Sequence, residues 1–227
     1  MMENNFDELM NEPEGKVGLN LAIFKDPVAR EVSWEQMHEG GNSFMTHKLQ
    51  TLSNQVSAFQ PVFFAKLIPS IFFLAGLILI GVAIFESLSA NVMLYIGILL
   101  FWGAALLLMD QLMVYTTFDQ RTLKIIQKRW LRSIFKRKDA EKQFDLTSLY
   151  AIQLLSERIS TYDEENDRSS SYRSYELNVI FENKERLHIL DHTNIEQIRA
   201  DAQVLATSLG IPVWDQQEAE LPLPDEL

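Results

Sequence analysis

Two unbroken apolar runs dominate the chain: 67–85 gives 19 uncharged residues, 92–109 gives 18, and the segment between them carries one charge, Glu86. At about 1.5 Å per helical residue each run reaches about 27–28 Å, close to the roughly 30 Å thickness of a bilayer's hydrocarbon core. The pattern predicts two membrane-spanning helices. The six residues 86–91 leave room only for a tight reversal, so the helices form an antiparallel hairpin. Gly76 with Ala83, and Gly97 with Ala104, place small residues seven apart, where backbones can approach.

Before this block the pattern is broken. Residues 1–18 are polar and acidic, which predicts a disordered N-terminus without the basic and apolar regions of a signal or transit peptide. Residues 20–24 and 30–34 read as short strands separated by Lys25, Asp26 and Pro27. After Gly40 and Gly41, Asn42 or Ser43 can cap a helix in which Met45, Leu49, Leu52, Val56 and Phe59 recur by four and three. That apolar stripe is expected to be buried against protein, either its own domain or another copy, because it has too few bases for a membrane-surface helix.

After the second run the period shortens. Residues 113–118 and 122–130 read as a strand hairpin, 144–146 leads into a strand at 150–156 that is apolar on both faces, and 157–171 reads as a polar loop. Tyr175, Leu177, Val179 and Phe181 alternate with Glu176, Asn178 and Glu182, and this half-buried strand pairs with 186–190. The last element is a helix: Thr193 and Glu196 have capping-box spacing, Ile195, Ile198, Ala202, Leu205 and Leu209 form its apolar face, and Gly210 and Pro212 stop it. Trp214 can pack beside its end, and the acidic tail beyond Asp215 is expected to be flexible.

Charge sets the orientation. The connector 86–91 has no Lys or Arg, whereas 121–142 has nine, so positive-inside bias places both termini in the cytoplasm and the connector outside. The charge is also segregated, with a net of +7 over 120–142 and −11 over 143–227. Lys128, Arg129, Arg132, Lys136, Arg137 and Lys138 are therefore the candidate contacts to anionic lipid headgroups, besides their role in setting topology. The overall charge of −11 opposes nucleic-acid binding.

The helical hairpin followed by "VYTTFDQRTLKII", "FDLTSLYAIQLL", "SYELNVIF", "RLHILDH" and "IRADAQVLATSLGIPVWD" resembles uncharacterised bacterial two-helix membrane proteins with a cytoplasmic pleckstrin-homology-like (PH-like) domain. The resemblance covers about 60–215 and extends less closely to "VSWEQMHEGGNSFMTHKL". It implies an α+β membrane protein in which a transmembrane hairpin is followed by an antiparallel sheet closed by a C-terminal helix. Strands from residues 20–34 would complete the sheet. The corresponding division is 1–18 acidic terminus, 19–61 short strands and amphipathic helix, 62–114 hairpin, 115–215 PH-like domain and 216–227 tail.

Candidate chemistry is sparse. There is no cysteine, and no phosphate-binding glycine loop, Gly-x-Ser-x-Gly elbow or His-Glu-x-x-His motif, so no catalytic residue, cofactor or metal is expected. Gly40, Gly41 and Asn42 read as a turn, and 163–167 as a solvated acidic loop rather than a calcium site. His188, Asp191 and His192 are close in sequence, but a strand end before a helix cap accounts for them. No Asp, Glu, Lys, Arg or His lies within either apolar run, which opposes transport by a single copy. These readings point to a non-enzymatic, membrane-anchored scaffold. Its cytoplasmic domain would bind a protein partner, a second copy or anionic lipid; the alternative is an accessory subunit of a membrane enzyme or transport complex.

Overall fold

A computed structural model describes residues 18–38, 40–41, 44–85, 92–163 and 168–220. The 86–91 connector, the acidic residues 1–17, the acidic run 164–167 and the tail residues 221–227 lie outside the described residues. The chain is α+β, and its described residues hold two long apolar helices, α1 (Phe63–Phe85) and α2 (Val92–Leu112), and nine strands in two sheets. Both helices are long and apolar enough to cross a membrane. They lie antiparallel: Phe72 meets Phe101, Phe73 stacks on Trp102, and Gly97 faces Leu79. Gly76 matters most at this contact, because the Trp102 indole fills the space where a Cβ would sit.

The first sheet is an antiparallel meander of β1 (His47–Ser53), β2 (Val56–Pro61), β3 (Val114–Asp119), β4 (Lys124–Arg129) and β5 (Glu141–Asp145). The expected helix over 45–59 is thus a β-hairpin. Ser53 Oγ accepts from Gln55 N at the reversal, and Val56–Phe59 pair with β1 on one side and β3 on the other. The four-and-three spacing did not mark a helical stripe: Val56 is 7 % exposed, whereas Leu52 is 53 % exposed. Pairing with a strand more than fifty residues away overrides the local spacing. The two apolar helices are therefore inserted between neighbouring strands of one sheet.

The second sheet has the order β8–β7–β6–β9, with β6 (Leu149–Asp163), β7 (Arg168–Phe181) and β8 (Arg186–His192) antiparallel and β9 (Val213–Asp215) parallel to β6. The polar stretch expected as a loop instead prolongs the β6–β7 ladder to the pair Asp163 and Arg168. Ile159, Thr161, Tyr162 and Tyr172 are residue types that suit extended backbone, which local polarity alone does not reveal.

Helix α4 (Ile195–Leu209) forms as expected and ends at Gly210, whose φ of 72° is the left-handed conformation that glycine adopts without penalty. Its cap is Asn194 rather than Thr193: the Asn194 side chain accepts from Gln197 N at 3.0 Å. The helix does not close a single antiparallel sheet. It touches β1 of the first sheet and β6, β7 and β9 of the second. Phe59, Phe118 and Ile125 from one sheet, Ile152, Leu154 and Leu177 from the other, and Ile198 and Leu205 from α4 share one core. Asp201 of α4 also accepts from Leu49 N at 2.9 Å, which occupies a donor on the edge strand β1.

The other face of the second sheet is covered by the N-terminal segment. Residues expected as strands form 3₁₀ turns at Leu21–Phe24 and Val28–Arg30, with the Asn20 side chain capping the first. Phe24 stacks on Trp34, and both pack with Tyr150 and Trp214 over Ala151 and Ile180. This cover is why β6 is apolar on both faces. Trp214 belongs to this cluster instead of sitting beside the helix end, and the segment expected as a flexible tail begins as a short helix α5 (Gln216–Ala219). Leu19 bridges Glu220 just after it.

Candidate functional site

At the end of α2 the chain turns through β3 and β4 and returns as a short helix α3 (Trp130–Ile134) that packs against α2. Asp110, near the end of α2, is the anchor. Arg132 binds it as a fork, with Nε 2.8 Å from Oδ1 and one terminal nitrogen 2.6 Å from Oδ2, and Arg129 lies 3.5 Å from Oδ2. Bidentate charge-assisted bonds of this kind fix orientation as well as adding energy. Arg132 also reaches Asp139 at 2.5 Å, and Arg137 reaches the same carboxylate at 3.1 Å, which holds it below the usual carboxylate range against the opposing effect of desolvation.

The six basic candidates therefore divide into two groups. Arg129, Arg132 and Arg137 are turned onto Asp110 and Asp139. Lys128, Lys136 and Lys138 are exposed and form no salt bridge among the described residues. Trp130, Ile134 and Phe135 stand exposed on the same short element. The sequence shows both the charge and the interleaving of Trp130 and Phe135 with bases; it does not show Ile134 joining them, nor that the group stands at the end of α2.

A second cluster lies where the two sheets meet the helices. His47, at the start of β1, has Nε2 2.8 Å from Val114 O on β3 and Nδ1 2.9 Å from Thr46 Oγ1. Continuing the β2–β3 register places Pro61 opposite Val114, and proline has no N–H to give, so the imidazole supplies a donor there. Thr46 Oγ1 is also 3.3 Å from Asp191 O on β8. Burial pushes the His47 pKa down from 6.5 to about 4, with His188 and His192 near enough to add to the effect.

On β8 a bulge decides which side chains meet. Leu177 pairs with Leu190 and Asn178 with His188, so Ile189 is the extra residue. His188 and Asp191, three apart, would point to opposite faces of a regular strand; the bulge returns both to the face of Glu176 and Asn178. His188 Nε2 is 3.1 Å from Asp191 Oδ1. His192 goes to the core side, where Asn194 N donates to its Nδ1 at 2.8 Å and burial lowers its pKa. The sequence trio of His188, Asp191 and His192 is thus split. In its place the N-terminal segment brings His38 over His188, ring centroids 4.4 Å apart, with Glu176 beside them.

Glu176 is only 3 % exposed. Its carboxylate accepts from Met37 N at 3.0 and 3.1 Å, from His38 N at 3.2 Å and from Asn178 Nδ2 at 2.5 Å. Gln36 Nε2 donates to Ser156 O, and Arg186 donates to the Ser33 and Glu35 carbonyls, so the strap over 33–38 is fastened to the sheet along its length. At the far end of the domain, the β1–β2 and β3–β4 turns line an open groove of about 350 Å³ with Gln55, Gln120, Leu146 and Leu209 and no titratable group.

No protein-family model matches the chain, and no curated protein matches it.

Proposed function

We propose that the chain is a non-enzymatic module anchored in a bilayer by α1 and α2, whose PH-like domain rests on an anionic cytoplasmic leaflet through α3. The observation that carries this reading is the composition and placement of α3. Exposed Trp130, Ile134 and Phe135, with Lys128, Lys136 and Lys138 around them, stand at the end of a 21-residue apolar helix and are held there by the Arg132 fork on Asp110. Aromatic rings belong at the headgroup level, and each lysine near an anionic surface contributes about 1 kcal/mol. Two facing sheets with one C-terminal helix touching both support the PH-like reading; the helix pair inserted between β2 and β3 is this chain's own departure from it.

The chain has no cysteine, so Ile134→Cys creates a single labelling site for a polarity-sensitive dye. In bilayer discs with anionic lipid the dye is expected to report an apolar environment, and Lys128→Glu, Lys136→Glu and Lys138→Glu together should return it to water. A dye that reports water in both anionic and zwitterionic discs overturns the reading.

A further inference from the structure

Glu176 poses a problem of charge. It is buried, yet among the described residues no Lys or Arg forms a salt bridge with it, and its partners are two backbone amides and one side-chain amide. Buried carboxylates are ordinarily paired with a cation or bound to a metal. The nearest groups that could accept such a role are two imidazoles: one ligand atom from each of His38, Glu176 and His188 lies within 4.8 Å of the others.

We propose that His38, Glu176 and His188 form a site for a divalent transition-metal ion of the zinc type, which clasps the N-terminal strap to the second sheet. Three arguments converge on that ion. Two imidazoles and a carboxylate are a donor set suited to zinc, and three protein ligands leave a fourth position open to water or a further ligand. Asp191 stands behind His188, its Oδ1 3.1 Å from Nε2; with the proton on Nε2, Nδ1 carries the lone pair, the way a carboxylate sets the tautomer of a ligating imidazole. The amides of Met37 and His38 and the Asn178 amide orient the Glu176 carboxylate in the same manner.

The fit requires a small closure. A tetrahedral ion with bonds of about 2.0–2.1 Å sets its ligand atoms roughly 3.4 Å apart. His38 is exposed, on a strap anchored beside it by its own N–H, so its side chain can close that distance by changes in its side-chain torsions. Without Ile189 as the extra residue of the bulge, His188 and Glu176 would not share a face, so the irregularity in β8 is what makes the site.

The test uses the full chain in mild detergent, titrated with Zn²⁺ against a chromogenic chelator, with Co²⁺ as the spectroscopic probe. One ion per chain is expected, with the visible absorption of tetrahedral cobalt. His38→Ala, which alters an exposed side chain, should abolish the binding, and His188→Ala should do the same with the far-ultraviolet dichroism unchanged. Asp191→Asn should weaken binding by about 10–100-fold. His47→Gln, which touches none of the three ligands, should bind as the parent does. The proposal is overturned if the parent chain takes up no stoichiometric Zn²⁺, or if His38→Ala binds as tightly as the parent.

Discussion

His47 ties β1 to the start of β3, where the chain re-enters the first sheet after α2, and its neutrality is a condition of that joint. The folded protein holds its pKa at about 4, chiefly by burial, whereas the unfolded chain protonates near 6.5. Between these values the unfolded state binds a proton that the folded state refuses, so the contribution of His47 is complete above about pH 6.5 and declines as the pH falls. At about 1.4 kcal/mol per unit, the loss amounts to about 2 kcal/mol by pH 5 and about 3 kcal/mol by pH 4. Carboxylates held low by their partners do not confuse this window. Asp119, bound by Arg121 and held at about 2, contributes stability that is lost only as the pH falls from 3.8 toward that value. His47→Gln can still donate to Val114 O but cannot titrate. Denaturant unfolding of the full chain in detergent, at about pH 7 and about pH 5, should show the parent losing about 2 kcal/mol more than the variant. Equal losses in the two proteins would refute the argument, because the proton would then have no preference for the unfolded chain.

Four further outcomes are expected. Gly76→Leu forces a side chain into the space of the Trp102 indole and should cost about 1–3 kcal/mol, measured as a lower unfolding midpoint that Trp102→Ala partly restores. Val56→Asp buries a charge and should cost about 3 kcal/mol or more, whereas Leu52→Asp, at an exposed strand position, should change stability by no more than about 0.5 kcal/mol; equal costs would contradict the hairpin. Arg132→Gln should release α3 from Asp110, read as faster amide exchange over residues 130–137 with the core of the second sheet unaffected. Trp214→Ala should cost about 3–5 kcal/mol and raise protease sensitivity within 20–38, since the indole is the floor on which the N-terminal segment lies.

What could be read in the sequence was what depends on near neighbours. The apolar runs and α4 with its Gly210 stop are local patterns whose period survives into the fold, whereas the half-buried alternation expected of β7 does not: residues 174–181 are all buried, because the N-terminal segment covers the face of Glu176, Asn178 and Ile180. Even the double-faced burial of β6 was legible, although its cause, the Phe24, Trp34 and Trp214 cluster, was not. The hairpin at 47–61 was missed because the partner that fixes it, β3, lies across the whole helix pair. For the site, the basic side chains of 128–138 were visible, but which of them turn inward depended on Asp110 and Asp139. Glu176 gave no signal at all: it is one acidic residue in an alternating strand, and only the bulge at Ile189 and the return of the N-terminus give it imidazole neighbours.

The insertion of α1 and α2 between β2 and β3 also sets an order of assembly. During synthesis β1 and β2 leave the ribosome first and form a two-stranded hairpin, a structure of marginal stability by itself. Their third strand is made only after both long helices, so the sheet can grow only when α1 and α2 have returned the chain to its starting point. Correct pairing of Phe59 with Thr116 is therefore a record that the helices came back antiparallel and in register. A chain in which only one helix had reached its place would leave the β2 edge open, and would expose to other chains the surface that β3 should cover.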